Sequence, residues 1–143
     1  MPDRDVVLAK VAAIQRCLRR IQDVTGLAPD RLDEQDAQDI FVLNLQRAVQ
    51  SAIDLAVHVV ASEGLGMPDS VRSNFVLLDH AKIISKALSR KMQAMVGFRN
   101  IAIHDYQAID VDILKSILTR HLKDLEQFYT TILTHFDLAK KKR

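Results

Sequence analysis

The chain has a single cysteine, no linker rich in proline, glycine or serine, no strand-like alternation and almost no excess of charge of either sign. Each shortage excludes something. The lone Cys17 cannot close an internal disulfide, and it lies beside the apolar positions of a predicted helix, where a buried, inert thiol suits a reducing compartment. Without a linker, residues 1–143 are expected to fold as one domain, long enough to enclose a core. A formal net charge of +2 gives no broad basic field, so any nucleic-acid contact must come from a local patch. The opening MPDRDVVLAK has no apolar signal core, and no apolar run approaches the roughly 20 residues of a membrane span. A soluble, cytoplasmic protein is the expectation.

Several catalytic signatures are missing as well. His58, His80, His121 and His135 stand on different segments without metal-ligand partners at suitable spacing, and there is no HExxH and no cysteine pair. Neither a metal nor a cofactor is expected. With no Gly-rich phosphate loop and no GxSxG, an ATPase or a serine hydrolase has no support.

What the chain does have is helical periodicity. Val7, Val11, Ile14, Leu18 and Ile21 recur at spacings of four and three, predicting a helix from about Asp5 to Thr25 that Gly26 terminates. A longer helix is predicted from about Asp33 to Glu63, with Gly64 at its end. Phe41, Leu45, Ala48, Ala52, Leu55 and Val59 form one apolar stripe on it, and Val42, Val49, Ile53, Val57 and Val60 widen that stripe beyond a single contact. Such a helix is central in its own bundle or half of an oligomer interface; both are expected here, hence a homodimer. Between the apolar faces runs a polar strip of Asn44, Arg47, Ser51, Asp54 and His58, either a solvated edge or a line kept for hydrogen bonds.

GLGMPDS at 64–70 reads as a loop, with Ser70 or Asp69 able to cap the short helical piece after it. Another helix is predicted from about His80 to Tyr106. The last spans about Val111 to Leu138, with Asp110 as its cap and Leu114, Leu118, Leu122, Leu125, Tyr129, Ile132 and Phe136 as its core stripe. The tail AKKKR is a solvated helix end or an RNA contact. The fold class is all-α, an up-and-down bundle of four to five helices.

GFRNIAIHDYQ at 97–107 sets an arginine, a histidine and a tyrosine at the end of an apolar helix. At 100° per residue Arg99 and Tyr106 continue the line of Leu88, Met92 and Met95, whereas His104 shares a line with Asn100 and Gly97, roughly 140° around from Arg99. A second copy of the helix, across a two-fold axis, would supply what one copy cannot. In the structural alternative, Arg99 pairs with Asp54 or another buried carboxylate, His104 donates to a backbone carbonyl and Tyr106 packs with its hydroxyl at the rim. Functionally, an arginine holds phosphate bidentately, a histidine moves protons near neutral pH and a phenol donates to phosphate or is modified. Together they describe a phosphodiester site.

RNIAIHDY at 99–106 resembles the Arg-x4-His signature of the HEPN superfamily and, with the tyrosine, of its HepT toxin branch. LQRAVQSAIDLAVHVVASEGLGMP at 45–68, FVLL at 75–78 and MVGFRN at 95–100 extend the likeness over most of residues 40–130. The resemblance implies a HEPN bundle that dimerises so that both motif copies line one cleft. It further implies a metal-independent ribonuclease, the toxin of a type VII-like pair, acting on tRNA or other RNA. Its partner would be an MNT-type nucleotidyltransferase antitoxin that transfers AMP to Tyr106. Arg99 and His104 would then be catalytic, Asn100 would orient the phosphate or the imidazole, and Asp54 would orient Arg99 or His104. The competing reading is a non-catalytic helical dimer that binds nucleotide or the nucleotidyltransferase in the same cleft.

Overall fold

A computed structural model describes residues 1–138; the AKKKR tail and its two readings lie outside them. Helix α1, Arg4–Thr25, starts where the Asp3 carboxylate accepts from the amides of Asp5 and Val6. It stops at Gly26, whose φ of 58° puts the chain in the left-handed region that ends helices. A 3-10 turn, Pro29–Asp33, then leads into α2, Gln35–Ser62, so the long helix begins two residues later than its pattern suggests.

The width of α2's apolar surface has an intrachain explanation. It packs against α1, α3 (Ser73–His80), α4 (Lys86–His104) and α6 (Leu122–His135). Val42, Val49, Ile53 and Val60, the residues that argued for a second partner, are all buried inside the single chain. Only Val57 and Leu43 of its large apolar residues stay exposed. The helix is central in its own bundle, and its width is no argument for a dimer. By length and composition α2 could also cross a membrane, but its apolar residues make the core.

The polar strip of α2 joins it to α1. Lys10 Nζ meets Asp54 at 3.2 Å, and His58 Nε2 accepts from the Asp3 amide at 2.9 Å. Buried Asn44 turns back to the Ile40 carbonyl. Cys17 is half-buried on the facing side of α1, and desolvation raises its thiol pKa, which keeps it unreactive.

Ser70, and not Asp69, supports the start of α3, its Oγ accepting from the Ser73 amide at 3.3 Å. The next helix does not begin at His80. That residue ends α3, and α4 starts at Lys86 under Ser85, whose Oγ accepts from the Leu88 amide at 3.0 Å. Buried Ser89 donates to the Phe75 carbonyl, locking α4 against α3.

Asp110 caps α5, Val111–Ser116, as expected, and the helix continues through a π-helical turn, Ile117–His121, into α6. Leu114, Leu118, Leu125, Ile132 and Phe136 of the expected stripe are buried, while Leu122 and Tyr129 are only half-buried. Phe128, outside that stripe, is fully buried, edge-on to Phe75 with ring centroids 5.4 Å apart. The helix ends at His135, three residues short of the expected Leu138. Among the described residues there is no strand. The all-α expectation stands.

Candidate active site

Helix α4 presents the motif. Leu88, Met92, Met95 and Ala102 hold one side of it in the core, which fixes the directions of Arg99, Asn100 and His104. His104 is the last residue of the helix. Asp105, at φ −153° and ψ 66°, breaks the helical path, so Tyr106 lies beyond α4 in a 3-10 turn, Tyr106–Ala108. The expected alignment of Tyr106 with Arg99 on one helical line is thus lost, because that line assumed an unbroken helix.

Arg99 is partly buried, its Nε lies out of solvent, and neither Nε nor the rest of the guanidinium has a hydrogen bond or ion pair among the described residues. A cation held in this way keeps its donors for a ligand. His104 is exposed and likewise unpartnered; no backbone carbonyl receives it. Asn100 is half-buried with its amide unengaged. In the structural alternative Arg99 and His104 would be satisfied within the chain, which they are not, whereas Tyr106 does pack against the core with its hydroxyl at the rim, on exposed Asp39.

Asp54 is not beside them. Its two carboxylate oxygens are taken by Lys10 Nζ at 3.2 Å and Gln50 Nε2 at 2.9 Å, on the flank where α2 meets α1. Within one chain it orients neither Arg99 nor His104. The carboxylate that does reach the motif is Asp39, in the first turns of α2, which accepts from the Tyr106 hydroxyl and from Gln35 Nε2 at 2.7 Å. Burial first, and then the hydrogen bond to Asp39 and its charge, push the Tyr106 phenol up to about 12. The same bond, with a smaller contribution from Gln35, lowers the pKa of Asp39. Sequence reasoning had no signal for Asp39, which sits 67 positions from Tyr106 on an exposed helix face.

A single chain therefore offers an unpaired arginine and an unpaired histidine on different sides of one helix, about 140° apart at 100° per residue, and a phenol held just past its end. The family model for HepT-like ribonucleases matches residues 14–132. The chain belongs to the HepT-like ribonuclease family. It is 41% identical to the mRNA nuclease HepT of Shewanella oneidensis over 128 residues, covering 90% of this chain and 96% of that one. Among solved structures, a tri-AMPylated HEPN toxin of the same organism in complex with an MNT antitoxin superposes with a TM-score of 0.86 at 40% identity. The match covers 91% of this HepT-like chain and 98% of that toxin. A toxin-antitoxin structure with AMP-PNP matches equally, with a TM-score of 0.86 and 40% identity over the same shares.

Proposed function

We propose that this HepT-like chain is a metal-independent ribonuclease toxin, active as a homodimer in the cytoplasm and silenced when an MNT-type nucleotidyltransferase adds AMP to Tyr106. The observation that carries the reading is the pair of unengaged groups, Arg99 and His104, held by α4 at the site of the family signature. His104 takes the proton of a ribose 2′-hydroxyl as its oxygen attacks phosphorus, or protonates the 5′ oxygen as the P–O5′ bond breaks; the mate's His104 performs the other transfer. Help of this kind contributes about 10²- to 10⁴-fold. Arg99 neutralises the charge that grows on the phosphate, and Asn100 orients it. Because one helix turns Arg99 and His104 to different sides, the second copy completes the site. Exposed Ile103, at 46%, leaves apolar surface beside His104 for that copy to cover.

AMP on Tyr106 would add bulk and negative charge where the RNA backbone must lie. A relative crystallised with its MNT antitoxin in tri-AMPylated form supports both the modification and the partner. A relative named for nuclease activity weighs against the non-catalytic dimer, and its name favours mRNA over tRNA as the substrate to try first. The test is cleavage of mRNA and of total tRNA, in EDTA, by protein whose Tyr106 is shown unmodified by mass spectrometry. His104→Ala and Arg99→Ala should each lose at least about 100-fold in rate. A parent protein that cuts neither RNA, or a His104→Ala protein that cuts as well as the parent, would overturn the reading.

A further inference from the structure

Helix α4 reads KALSRKMQAMVGFRNIAIH and contains no acidic residue in its 19 positions. Along it Arg90, Gly97 and His104 recur every seven residues, and a heptad drifts only about 20° on a straight helix, so the three share one side. Arg90 and His104 are exposed there, as is Ile101 between them. The middle position carries a glycine, which weakens a helix interior relative to alanine.

Another residue occupies the space beside this glycine. A Cβ at Gly97 would stand 2.7 Å from Nη2 of Arg72 and 3.6 Å from its Cζ, so the Arg72 guanidinium lies directly on the bare backbone of α4. Arg72 comes from the turn before α3, is exposed, and its guanidinium makes no hydrogen bond or ion pair among the described residues. The chain thus seats an unneutralised guanidinium midway between Arg90 and His104, about 10 Å from each along the helix axis. Two guanidiniums without an ion pair among the described residues, Arg90 and Arg72, stand about one heptad apart on the way to His104, which suits a polyanion whose charges repeat more than a single small anion.

We infer that Arg72, seated on Gly97, is a phosphate-binding residue of an RNA track that runs along the outer side of α4 toward His104. This rests on the ribonuclease reading above and extends it to the nucleotides flanking the scissile bond. The planar fork of Arg72 grips a flanking phosphate bidentately, and a side chain at Gly97 would push the fork off its seat. Arg72 positions RNA and touches no reacting atom, so its loss acts on KM and leaves kcat near the parent value.

Two variants reach the same contact from opposite sides. RNA affinity is measured in cleavage-dead His104→Ala protein between about 50 and 200 mM salt, and KM and kcat in otherwise parent protein. Arg72→Ala should weaken binding about tenfold, as loss of a charged hydrogen bond implies, and make the salt slope shallower by about one. Gly97→Ala keeps the arginine and favours the helix, yet should weaken RNA binding in the same direction because its methyl displaces the guanidinium. Thermal melting confirms that it folds. The double variant should be no weaker than Arg72→Ala, since both changes remove one contact. Arg72→Lys should keep the salt slope and lose part of the affinity. If the parent cuts RNA while Arg72→Ala matches it in affinity, slope and KM, this inference fails and the ribonuclease reading survives. Should Arg72→Ala lose only binding to the nucleotidyltransferase, the track is likewise overturned. A parent that neither binds nor cuts RNA sinks both.

Discussion

Tyr106 and Asp39, 67 positions apart in sequence, meet in a hydrogen bond that, together with burial, holds the proton on the phenol proposed to receive AMP. At neutral pH Tyr106 is protonated and donating, with its pKa pushed up to about 12. The proposed transfer of AMP would require that proton to leave, and Asp39 is the carboxylate in contact with it. The linkage has a definite sign. Between about 10 and 12 the unfolded chain has lost the phenol proton while the folded one keeps it, so the stability from this group is full below pH 10 and lost across that window. For Asp39 the order reverses. Its folded pKa lies below 3.8, so its contribution is present above that value and lost as the pH falls. Asp39→Asn should bring the Tyr106 phenol down from about 12, though not fully to the free value, because burial, the larger cause, remains. Phenolate absorbance in a Tyr129→Phe background isolates the group, and an unmoved titration would show that the bond does not form in solution.

Among the elements, the α5–α6 helix carries the clearest difference between pattern and packing. Its expected stripe takes in Leu122 and Tyr129, which are half-buried, and leaves out Phe128, which is fully buried and lies about 20° from buried Ile117 at 100° per residue. A π turn, Ile117–His121, joins the two helices. The same turn brings His121 Nδ1 to 3.0 Å from Asp124, which is 2% exposed and also faces Lys91 Nζ at 3.9 Å. Phe128→Ala should cost about 3–5 kcal/mol in urea unfolding, the range for emptying a buried aromatic site. Tyr129→Ala, at a half-exposed position, should cost clearly less. Equal losses would contradict this difference in burial.

For the whole molecule the open question is the second copy. The apolar width of α2 is spent inside the chain, so the proposed homodimer rests on exposed Ile103 beside His104 and on the different sides of α4 that Arg99 and His104 occupy. On that proposal assembly and catalysis are one property. Ile103→Asp places a charge in that surface without touching the core, since Ile103 is 46% exposed. Sedimentation should then show a monomer, and cleavage should fall with it by at least about 100-fold, as for loss of a catalytic group. A monomer that still cuts at the parent rate would mean that one chain suffices.

Local rules were enough for a good part of this protein. Helical spacing, the Asp110 cap, the Gly26 stop and the Arg-x4-His signature each depend on residues within a turn or two of one another, so they can be read along the chain and are found where they were read. The family and the identity of the motif residues were legible for the same reason. Tertiary structure alone decided what meets what. Asp54 shares a polar line with its neighbours on α2, yet α1 claims it through Lys10, and Asp39, with no signal of its own, receives Tyr106. Arg72 lies on Gly97 because a turn 25 positions earlier folds back over α4. Contacts of this kind form between residues far apart in sequence, where periodicity carries no information and the packing of whole helices chooses the partners.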